Sequence, residues 1–94
     1  MDWFDGKVIY ITGGSAGIGK SIAKKCLIKG ANVVITGRNK ETLDSAVHEL
    51  SEISKNIIAH EADVSKPDQV SDSVTEALNA FGKIDGLVNN APSI

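Results

Sequence analysis

The stretch VIYITGGSAGIG, Val8 to Gly19, decides the fold: an apolar run breaks into a glycine-rich loop, and helical periodicity follows at once. Val8, Ile9, Tyr10 and Ile11 are β-branched or aromatic without polar alternation, the pattern of a parallel strand buried on both faces. Beyond Thr12 come Gly13, Gly14, Gly17 and Gly19. Glycine costs conformational entropy, so this density implies positive φ or a close backbone approach. From Ser15 the pattern turns helical, with Ile18, Ile22, Ala23, Cys26 and Leu27 at three- and four-residue spacings and a stop at Gly30. Lys20, Lys24, Lys25 and Lys29 fall on the outer surface of that helix as an ordinary solvated face.

A helix starting in the loop directs unpaired N–H groups and the positive end of its dipole into the turn, which suits a diphosphate. A tight structural strand-to-helix turn is the plainer reading. Three residues separate Gly13 from Gly17, where the general dinucleotide fingerprint has one.

The pattern repeats downstream. Ala31 to Thr36 reads as a second buried strand, and Leu43, Ala46, Val47, Leu50 and Ile53 mark a second helix. Asn56 to His60 forms a third strand. Ser65-Lys66-Pro67-Asp68 opens a third helix with proline where its missing N–H is harmless, and Val70, Val74, Ala77, Leu78 and Phe81 supply its apolar stripe as far as Gly82. Ile84 to Val88 is a fourth strand that exits through Asn89-Asn90. Trp3 and Phe4 are expected to cover one end of the core, and Asp5-Gly6-Lys7 to turn into the first strand. The series is βαβαβαβ. Right-handed crossovers then give a doubly wound parallel sheet in the order 3-2-1-4, with the glycine loop beside the point where strand order reverses.

Composition excludes several classes of function. Ten Lys and Arg against 12 Asp and Glu leave no basic surface for nucleic acid, and 41% hydrophobic content suits one small globular domain. The single cysteine, Cys26, lies on an apolar face and allows no disulfide framework; packing is its expected role. His48 and His60 have no companion at metal spacing. No apolar run approaches the roughly 18–20 residues of a membrane span, and the start MDWFDGK is not a signal peptide. A soluble cytoplasmic or other intracellular protein is expected.

Four segments share one further pattern: TGGSAGIG at Thr12 to Gly19, GRN at Gly37 to Asn39, DV at Asp63-Val64 and NNA at Asn89 to Ala91. Together they resemble the short-chain dehydrogenase/reductase family over nearly the whole chain. The resemblance implies the N-terminal portion, residues 1–94, of a single dinucleotide-binding Rossmann-like domain, incomplete as it stands. It implies that Gly13, Ser15, Ala16, Gly17, Ile18 and Gly19 surround the cofactor phosphates and adjoining ribose. It also implies that Asp63 and Val64 meet the adenine, and that Asn90 and Ala91 lie beside a ribose. For Asp63, capping the entry to the third helix is the alternative. Pro92 stands where the family has glycine, removing a backbone donor.

Cofactor choice turns on the end of the second strand. NAD-type sites place Asp or Glu there, at the position held by Gly37, whereas Arg38 follows with a fork suited to a 2′-phosphate. Ser15 and Asn39 add neutral donors, so NADP(H) is expected over NAD(H). The resemblance further implies hydride transfer with a small carbonyl or alcohol substrate, and a homo-oligomer for the full-length protein. The family's catalytic serine and Tyr-x-x-x-Lys pair do not occur in residues 1–94, and Tyr10 lies inside a strand. Three readings result: the cofactor-binding part of an oxidoreductase, a non-catalytic NADP(H)-binding or sensing module that associates with a partner, or a structural domain with no ligand, which would require the glycine loop, Arg38 and Asp63 all to be coincidental.

Overall fold

The computed structural model describes residues 3–13 and 17–90. In chain order it contains β1 (Val8–Thr12), α1 (Gly17–Ile28), β2 (Asn32–Gly37), α2 (Lys40–Leu50), β3 (Ile57–Glu61), α3 (Pro67–Phe81) and β4 (Gly86–Asn89). All four strands are parallel, in the order β3-β2-β1-β4. This is the doubly wound arrangement expected from the alternating pattern and right-handed crossovers.

Strand alternation sorts the core into two layers. Ile9 and Ile11 of β1, Val33 and Ile35 of β2 and Ile57 of β3 pack with Ala23, Cys26 and Leu27 of α1 and Leu43, Ala46 and Leu50 of α2. The opposite pleat, Val8, Tyr10 and Val34, packs with Ala77 of α3, and Val74, Phe81 and Ile84 close around it. All five residues of β1 are buried, as its unbroken apolar run requires. A buried polar contact crosses the second layer, where the Tyr10 hydroxyl is hydrogen-bonded to Ser73 Oγ. Cys26 is buried and its thiol pKa is raised, chiefly by desolvation and in spite of Lys29.

Several boundaries differ from the periodic reading. The buried stripe of α1 runs through Gly19, Ala23, Cys26 and Leu27, while Ile18 is 71% exposed. Close approach of Gly19 to the preceding loop sets the rotation of the helix and turns Ile18 outward. α2 ends at Leu50, leaving Ile53 in a partly exposed turn. β3 begins at Ile57 and β4 at Gly86, one and two residues later than expected, and Ile84 packs in the second layer ahead of β4. On α3, Leu78 is exposed although it continues the Val70–Val74 row at helical spacing. α3 packs over β2 and β3, and its Ala77 and Val74 also meet Val8 and Tyr10 of β1. Trp3 stays exposed against the edge of Phe4, and only Phe4 reaches the core.

Candidate cofactor site

Parallel strands place the loops after β1, β2, β3 and β4 at one edge of the sheet, beside the reversal between β1 and β4. Backbone hydrogen bonds hold these loops together. The Gly13 N–H donates to Thr36 O at 2.9 Å, and the Ala62 N–H donates to Gly37 O at 2.9 Å. Thr12, which the sequence reading left without a role, joins the first and fourth loops. Its Oγ1 accepts from the Asn90 N–H at 3.0 Å and donates to Asn89 Oδ1 at 3.1 Å. Asn90 Nδ2 approaches Gly13 O at 3.4 Å.

Two glycines shape the turn. Gly17 has φ 59, a conformation that costs an L side chain about 1–2 kcal/mol, and among the described residues no atom beyond its own helix and chain neighbours stands within 4 Å of a Cβ built on it. Gly19 is closed in: a Cβ there would lie 2.3 Å from Gly13 O and 2.8 Å from Asn90 Nδ2. The first turn of α1 carries no acidic residue. Its N–H groups and dipole therefore meet no competing negative charge from their own helix, an end that suits a phosphate group. Gly13, Gly17, Ile18, Gly19 and Asn90 converge on this turn; Ser15, Ala16 and Ala91 lie outside the described residues, as does Pro92.

At the end of β2, Gly37 offers no side chain and Arg38 is exposed. Asn39 is the N-cap of α2: its Oδ1 accepts from the Thr42 N–H at 3.1 Å, which leaves the amide nitrogen as its remaining donor. Asp63 stands in the loop after β3 with Oδ1 accepting from the Ser65 N–H at 2.9 Å and the Ser65 hydroxyl at 2.7 Å. Those two bonds hold its pKa below the usual carboxylate value, with smaller help from Arg38 and Lys66. Asp63 thus shapes the turn before α3, while the helix N-cap itself is Lys66, with Pro67 opening the helix. Gln69, also missed in the sequence, fixes the loop by accepting the Asp63 N–H on Oε1 at 2.8 Å.

Below these loops, a groove of about 350 Å³ runs along α3 between Tyr10, Val64, Val70, Val74, Ile84 and Leu87. Val64, 42% exposed, and Asn89 are among its lining residues. Such an apolar slot beside a polar rim suits a flat heteroaromatic ring. Among the described residues no group of His, Cys, Asp and Glu could hold a metal ion, and no helix is long and apolar enough to cross a membrane.

A sequence profile of short chain dehydrogenases matches residues 7–93. The chain belongs to that family. It is 41% identical over 85 residues to a probable 2,4-dienoyl-CoA reductase of Bacillus subtilis, spanning 90% of this chain and 34% of that protein. Among solved structures, a metagenomic short-chain oxidoreductase in complex with NADP is 38% identical at a TM-score of 0.88, over 96% of this chain and 41% of that one. A short-chain dehydrogenase/reductase from Burkholderia phymatum in complex with NAD is 36% identical at a TM-score of 0.87, over 93% and 31%. The chain spans about a third of the length of the first of these relatives. Solved members of the short-chain family thus carry either nicotinamide cofactor.

Proposed function

We propose that residues 1–94 form the NADP(H)-binding part of a short-chain oxidoreductase that moves hydride between nicotinamide and a small carbonyl or alcohol substrate. The observation that carries the cofactor preference is the end of β2, where exposed Arg38 follows Gly37 and no carboxylate stands at position 37 to accept from ribose hydroxyls. A guanidinium can form two parallel hydrogen bonds with a 2′-phosphate. Ser15 and the Asn39 amide nitrogen supply neutral donors to the same group.

In this reading the α1 N-terminus, with Gly13, Ser15, Ala16, Gly17, Ile18 and Gly19, receives the phosphates and adjoining ribose. Val64 packs on the adenine ring, and Asp63 accepts from the adenine amino group while keeping its Ser65 bonds. Asn90 and Ala91 border a ribose. The cofactor, when bound, supplies the hydride; this chain's residues bind and orient it.

The test is titration of NADP and NAD into the wild type and Arg38→Ala. A hydrogen bond involving a charged group contributes about 1.5–3 kcal/mol, so the variant should lose NADP(H) affinity by roughly ten- to a hundredfold with NAD(H) nearly unchanged. Equal losses for both would show that Arg38 supports the loop and does not read the phosphate. A second reading, a non-catalytic NADP(H)-binding or sensing module, would be selected by cofactor binding without turnover in the full gene product.

A further inference from the structure

β2 lacks a carboxylate at its end, but β3 brings one to the same corner. In the register of the two strands Gly37 lies opposite Glu61, one strand spacing of about 4.8 Å away. Alternation places both positions on the α1/α2 side of the sheet, because Val33 and Ile35 precede Gly37, and Ile57 and Ala59 precede Glu61, at core positions of that layer. Gly37 has no side chain to stand between the Glu61 carboxylate and the loop above. Glu61 is exposed, and no side chain among the described residues bonds its carboxylate. It lies within electrostatic reach of the first residue of α2: Lys40, whose ammonium is held by Asp44 at 3.0 Å, is also favoured in its charged form by Glu61. Arg38 and the N-terminus of α2 belong to this corner as well.

We infer that Glu61 is a second determinant of cofactor choice, setting a negative charge across Gly37 that opposes Arg38 at a ribose 2′-phosphate and leaves an unphosphorylated ribose unaffected. The inference rests on the cofactor reading proposed above. Arg38 contacts the phosphate through directed hydrogen bonds, whereas Glu61 acts through space from an exposed position and is weakened by salt. Its effect is correspondingly smaller, about two- to fivefold in affinity at low ionic strength.

The experiment uses 2′,5′-ADP and 5′-AMP, the adenosine halves of the two cofactors, titrated by amide NMR or calorimetry into the wild type, Glu61→Gln and Arg38→Ala. Glu61→Gln should tighten 2′,5′-ADP about two- to fivefold, less in high salt, and leave 5′-AMP unchanged. Glu61→Lys should tighten it further. An unchanged 2′,5′-ADP affinity, or equal gains for both nucleotides, overturns the role of Glu61; a selective loss in Arg38→Ala would in that case leave the cofactor reading standing. Absence of binding by either nucleotide overturns both.

Discussion

Gly19 shows how far a single residue governs this site. Its absent side chain lets α1 approach the Gly13 carbonyl, and that approach turns Ala23, Cys26 and Leu27 into the core while Ile18 faces out. Gly19→Ala should destabilise the fold by about 1–3 kcal/mol, since the atom in the way is backbone and cannot swing aside. Denaturant unfolding measures the loss; a midpoint equal to wild type would mean the loop gives way freely. Thr12 acts from the other side of the same contact. Thr12→Val preserves shape but leaves the Asn90 N–H without its oxygen, an expected cost of about 1–3 kcal/mol by the same measurement. The glycines were legible because their density has few causes. Thr12, Gln69 and Glu61 were not, because each acts across 6 to 78 residues or across a strand register that only the folded sheet defines.

Among the elements, the strands and helices followed the sequence closely, since runs such as VIYI and NVVIT bury both faces and the intervening apolar positions recur at helical spacing. Boundaries and exposure on the second face were less legible, because periodicity marks an apolar stripe without saying what covers it. Ala77 is buried against the sheet, but Leu78 and, on β4, Leu87 are 44% and 68% exposed. β4 also lies at an edge of the sheet, and its four residues, GLVN, include no charge or proline to discourage pairing. The 94-residue chain should therefore self-associate. Sedimentation should show species larger than the monomer, shifting toward monomer in Leu87→Lys. A wild-type monomer that melts cooperatively like an ordinary domain would mean the exposed β4 edge and α3 row do not drive association.

At the scale of the whole molecule, the residues brought together at the loop edge are, in the proposed reading, binding groups. The α1 N-terminus, Arg38, Asp63, Val64 and Asn90 can hold and orient a nucleotide, and none of them stands as a free proton donor aimed at a reacting carbonyl. Tyr10 is removed from such work by its place in β1, its burial and its bond to Ser73, below the strand ends where the loops gather. General acid–base catalysis contributes typically 10²–10⁴-fold, and positioning of the second reactant contributes more. The 94-residue chain is accordingly expected to bind cofactor without turning it over. NADPH oxidation followed by absorbance against a panel of ketones and aldehydes measures this directly, with cofactor binding checked on the same sample. A rate above the uncatalysed background that co-purifies with the chain, and is lost in Arg38→Ala in proportion to bound NADPH, would show that residues 1–94 already contain a proton-transfer group, and Tyr10 would then have to be tested first.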